Sequence, residues 1–146
     1  MAERPPPPDP ARHGDEQQFQ YALLRVVPRV DRGERINAGV VLFCRASDFL
    51  AARIDLDERV LAVLAPGLDR AAVRAHLDAL ARVAAGDPAA GAVARLAPSE
   101  RFHWLVAPSS TVIQPSEVHT GTAPDPQAEL DRLMRALVAR ATVNVA

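Results

Sequence analysis

Between Arg101 and Gly121 the chain carries His103, His119, Gln114 and the hydroxyls of Ser109, Ser110, Thr111 and Ser116. A histidine near a serine is the pairing of a general base with a nucleophile, and an arginine fork near a histidine suits binding and proton transfer at a phosphate. For acyl transfer, His103 or His119 would have to activate Ser110 or Ser116, but the chain has no G-x-S-x-G elbow and no assigned third member. For metal binding, Glu117 and His119 lie two apart and could share a strand face, with His103 as a third ligand. No H-E-x-x-H or comparable spacing accompanies them, so no metal and no cofactor is expected. The same hydroxyls also have a local use, because Ser and Thr in such segments commonly bond nearby backbone. Two readings stand: a recognition surface that includes Arg101, Trp104, Ser110, Thr111, Gln114, Ser116 and His119, or a loop hydrogen-bonded to itself.

A second constellation lies upstream. In "FQYALLRVV" Arg25 alternates in line with Phe19, Tyr21, Leu23 and Val27, and a guanidinium there requires a carboxylate or several carbonyls. Glu34 is the expected partner, with Asp31 as a substitute. Asn37, placed by alternation on the face of Gly39, Val41 and Phe43, adds an amide, and Gly39 leaves room for another backbone or a ligand. Arg25, Glu34 and Asn37 either lock an irregular hairpin or bind an anion or partner.

These residues need a scaffold. The chain has 146 residues, the usual size of one domain, and a net charge of −1 with a pI near 6.4. No global basic field collects nucleic acid or an anionic membrane, so a nucleic-acid surface would have to be local. All 17 basic residues are arginine, which removes Schiff-base and P-loop lysine chemistry. Cys44 is the single cysteine, excluding an internal disulfide, and reads as a small buried hydrophobe. The start, "MAERPPPPDPARHGDEQQ", has no apolar signal core, and a cytoplasmic protein is expected. Residues 1–17 read as a disordered proline-rich tail and residues 18–142 as one domain.

Within that domain, Phe19–Val27, Ile36–Cys44 and Phe49–Leu56 read as an antiparallel three-stranded meander. The third strand alternates Leu50, Ala52, Ile54 and Leu56 against Ala51, Arg53 and Asp55, as in a sheet with one solvated face. Helices supply the cover. A short one is expected in "DERVLAVLAPG", and a long one is capped by Asp69, stopped at Gly86 and striped by Val73, Leu77, Leu80 and Ala84. A last helix has Asp125 as cap and Pro126 in its first turn, with a stripe of Leu130, Leu133, Met134, Leu137 and Val138. "RFHWLVA" and "STVIQ" read as a second strand pair, with Phe102, Trp104 and Val106 on one face. The expected class is α+β, a three-stranded meander plus a second strand pair packed by two main helices.

"YALLRVVPRVDRGERINAGVVLFCRASDFLAARIDLD" together with "ERFHWLVAPSSTVIQPSEVHTG" resembles the bacterial domain-of-unknown-function family 3037. The resemblance covers residues 19 to 140 and rests on positions that include Arg25, Pro28, Glu34, Asn37, Gly39, Arg101, Trp104, Ser110, Gln114, Ser116, His119 and Gly121. It implies no established activity. It does imply an association with HipA-type kinase-like proteins, and hence a protein partner. The expected function is a non-catalytic module that binds such a partner. The alternative is a phosphate- or nucleic-acid-handling enzyme that uses Arg25, Arg101, His103 and His119.

Overall fold

A computed structural model of the chain describes residues 16–139. The proline-rich segment up to residue 15 lies outside the described residues, and the first strand already begins at Gln17. Strands β1 (Gln17–Val26), β2 (Ile36–Cys44) and β3 (Phe49–Ile54) form the expected meander. Helix α1 (Glu58–Leu64) is capped by Asp57, and α2 (Arg70–Ala84) by Asp69, whose side chain accepts from Ala72 N–H. Gly86, at φ 72°, ends α2 in the left-handed conformation that favours glycine. Two 3₁₀ turns, Pro88–Ala90 and Val93–Arg95, then lead to α3 (Pro98–Leu105). Strands β4 (Ile113–Pro115) and β5 (His119–Ala123) follow, and α4 (Pro126–Leu133) runs into a π turn over Met134–Val138.

The class is α+β, with one five-stranded antiparallel sheet. The second strand pair is built differently from the expectation. "RFHWLVA" belongs to a helix because Pro98 takes a first-turn position, where its missing N–H has no consequence, and Phe102 and Leu105 repeat at helical spacing. The helix turns Phe102 and Leu105 onto the sheet, with the Phe102 and Phe43 rings stacked 5.3 Å apart, and leaves Trp104 outside. The two remaining strands are β4 and β5. They do not pair with each other; both pair with β1, β4 along Leu24–Val26 and β5 along Gln17–Tyr21. The order across the sheet is β3-β2-β1, with β4 and β5 sharing the outer edge of β1.

Both faces of the sheet are covered, where one solvated face was expected from β3. Val40, Leu42 and Cys44 of β2 pack with Phe19, Leu23, Leu130, Leu133 and Met134. On the opposite face Val41 and Phe43 pack with Ala22, Val83, Phe102 and Leu105, while Leu24 and Val26 pack with Leu61, Val73 and Leu77. The continuous apolar run of β2 carries this two-sided burial; β3, at the edge, is partly buried on both faces, with Phe49 and Ala51 on one and Leu50 and Ala52 on the other. An ion pair from Arg53 to Asp131 closes the rim between β3 and α4.

The last helix departs from its expected stripe at one position. The π turn, with Ala139 N–H donating to the Met134 carbonyl at 2.8 Å, rotates the chain so that Val138 packs on the core and Leu137 is 38% exposed. Leu133→Asp should therefore unfold the domain, since a buried carboxylate costs several kcal/mol against a total of about 5–15 kcal/mol. Leu137→Asp should change stability by no more than about 0.5 kcal/mol. Urea unfolding of both variants checks the assignment; equal loss would refute it.

Candidate functional site

Arg25 and Asn37 meet because the β1–β2 register slips. Leu24 faces Gly39, but the next pair is Arg25 with Asn37, so Ala38 is the extra residue of a bulge. The slip moves Asn37 off the face of Val41 and Phe43, where simple alternation had placed it. Asn37 instead shares the α4 face with Arg25, accepting from Arg25 Nε at 3.3 Å and donating through Nδ2 to the Leu137 carbonyl at 3.0 Å. Gly39 is required by backbone: a Cβ there would lie 2.6 Å from the Arg53 carbonyl oxygen of β3. Glu34 is not the partner of Arg25. It pairs with Arg32 inside the hairpin loop, where both side chains reach water more cheaply than the sheet.

Arg35 completes this corner. It lies two before Asn37, with inward-facing Ile36 between them, and this alternation was the available sequence signal for it. Arg25, Arg35, Ile36 and Asn37, with residues 136–139, line an open cleft of about 460 Å³. Burial, reinforced by the charge of Arg35 and opposed by Glu117, lowers the pKa of Arg25. Glu117 is held below its ordinary value, first by its own backbone N–H and then by His119, Arg25 and Arg35. His119 lies 3.5 Å from Glu117 through Nε2, and its ring rests on Tyr21 at 5.2 Å, its cross-strand neighbour. Gly121 is needed because the Phe19 ring covers its backbone, leaving only 2.7 Å for a Cβ.

The hydroxyl-rich run is largely bonded to itself. Thr111 Oγ1 donates to the Ile113 carbonyl at 2.9 Å and contacts Ser109 Oγ at 2.8 Å, and Gln114 Nε2 donates to the Thr111 carbonyl at 2.9 Å. Ser116 is buried. Its Oγ accepts from Leu23 N–H and its own N–H donates to the Leu23 carbonyl, both at 2.8 Å, while the hydroxyl proton goes to the Glu117 carbonyl. Ser110 is exposed in the loop before β4.

Arg101 and Trp104 lie elsewhere. They sit on α3, which packs on the sheet face opposite Arg25 and Asn37. Arg101 closes the end of α2, donating to the carbonyls of Leu96 at 2.7 Å and Ala84 at 3.4 Å, the charge expected at a helix C-terminus. Its Nε is buried without a partner among the described residues. His103 is exposed and bonds back to the Ser99 carbonyl at 2.7 Å. The ten positions singled out from the sequence thus divide: Arg25, Gln114, Ser116 and His119 along β1 and its outer edge with Asn37 facing Arg25 from β2, Ser110 and Thr111 in the adjoining loop, Arg101 and Trp104 beyond the sheet, and Glu34 in the hairpin. Among the described residues no three His, Cys, Asp or Glu side chains are grouped as metal ligands, and no helix is long and apolar enough to cross a membrane.

The family described as protein of unknown function (DUF3037) matches residues 21–138, from β1 through the π turn. The chain belongs to this family. No curated protein and no solved structure matches the chain. The matched residues include the bulge, Ser116 and α3. Ser116→Ala should cost about 1–3 kcal/mol, because it strands the buried Leu23 N–H, whereas His119→Ala, an exposed position, should cost less than about 1 kcal/mol. Thermal melting of the two variants orders them; a reversed order would refute the internal role of Ser116.

Proposed function

We propose that the protein is a non-catalytic cytoplasmic module that binds a protein partner. One observation carries this reading: Trp104, the single tryptophan of the chain, is 48% exposed. The buried contacts of α3 are supplied by Phe102 and Leu105, and the fold leaves about half of Trp104 in solvent. Exposed aromatic anchors of this kind dominate the energetics of protein interfaces. The distribution of the polar groups supports the same reading. An enzyme acting on phosphate through Arg25, Arg101, His103 and His119 requires them around one substrate, and Arg25 and Arg101 are separated by the sheet. A binding module makes no such demand. HipA-type kinase-like proteins, suggested by the family resemblance, are the first partners to test.

Co-purification of the tagged full chain from its host, quantified for wild type and Trp104→Ala, tests the proposal. Partner recovery should fall at least about tenfold in the variant, the effect of a hot-spot residue, with melting unchanged within a few degrees. Equal recovery by both proteins would overturn it.

A further inference from the structure

We infer that the cleft bounded by Arg25, Arg35 and Asn37 is an oxyanion site for a phosphate monoester, separate from the Trp104 surface. Two guanidinium groups of like charge share one polar cleft, and one of them is half buried in the sheet. Neither forms an ion pair among the described residues, and the acidic group that acts on Arg25, Glu117, is itself held by His119. Glu117, which acts on both guanidinium groups, brings one negative charge to two positive ones, and an anion between the arginines removes the remaining repulsion.

The donors are also arranged for this use. Asn37 takes the Arg25 Nε–H with its oxygen and anchors its own amide to the Leu137 carbonyl. It is a positioning residue, fixing the Arg25 plane and leaving the two terminal nitrogens as the donors for a ligand. An arginine fork presents parallel N–H groups to two oxygens of one anion, and two forks match the charge of a dianionic phosphate monoester better than that of a single carboxylate. A cleft of about 460 Å³ accepts such a group with part of the molecule that bears it. The monoester belongs either to a phosphorylated side chain or to a small sugar phosphate.

The arginine Nε–Hε NMR signals of the full chain, titrated separately with a phosphoserine peptide, its unphosphorylated form, ribose 5-phosphate and sodium chloride at matched ionic strength, test the inference. A phosphate probe should shift the Arg25 and Arg35 signals saturably, while chloride and the unphosphorylated peptide do not. Tighter binding of the peptide assigns a protein source, and tighter binding of ribose 5-phosphate a small molecule. Arg35→Gln, at an exposed position that leaves the fold intact, should weaken binding about tenfold or more, the usual loss for a charge-assisted contact. Arg25→Gln, checked first by melting, should do the same. Trp104→Ala should bind phosphate as wild type does, so failure of either proposal is seen independently. Shifts that rise linearly and match those of chloride, or an unchanged Kd in Arg35→Gln, would overturn the inference.

Discussion

The fold depends on how the outer edge of β1 is satisfied. β1 is an interior strand, so its buried N–H and carbonyl groups all need partners, and water is not at hand to supply them. Two short strands share the task and leave a gap between Tyr21 and Leu24. Ser116 fills it at Leu23, with its backbone N–H on the Leu23 carbonyl and its hydroxyl on the Leu23 N–H. One side chain thereby replaces a missing ladder partner, and the chain is free to turn between β4 and β5 without opening the sheet. The polar run that looks like reaction chemistry in one dimension is, at this residue, part of the backbone accounting.

The other edge of β1 carries the opposite device. Along β2 the pairing is regular until Ala38, where one extra residue turns Asn37 to the face of Arg25. The bulge leaves Ala38 and Ile36 buried in the core beside Leu24 and Val26. The corner benefits directly. Asn37 joins the sheet to the end of the π turn through the Leu137 carbonyl and holds Arg25 in a half-buried position. Bulges recur next to sites because they re-aim a side chain without disturbing the rest of the ladder. Here the re-aimed group is an amide that serves an arginine.

The two halves of the surface then differ in kind. On the α3 side the charged group is consumed, with Arg101 closing the end of α2, and what remains exposed is aromatic. On the α4 side Arg25 and Arg35 line an open cleft and the aromatic side chains are in the core or stacked, as Tyr21 is under His119. The exposed aromatic ring and the polar cleft are thus separated by the sheet.

Composition and periodicity determined the meander, the caps of α2 and α4 and most of the core, because a strand needs only alternation and a helix only its three- and four-residue spacing. They also picked out Arg25, Asn37, Ser116 and His119 as unusual residues. Several matters were left to tertiary structure. "RFHWLVA" has strand composition, yet it is a helix because the sheet face beside Phe43 needed covering and Pro98 could begin one. Leu137 has helical spacing, yet a π turn moves it out. Asn37 alternates with Val41, yet a bulge moves it across. In each case one local shift changes which face a side chain occupies, and its direction is set by packing partners distant in the chain, which no local pattern encodes.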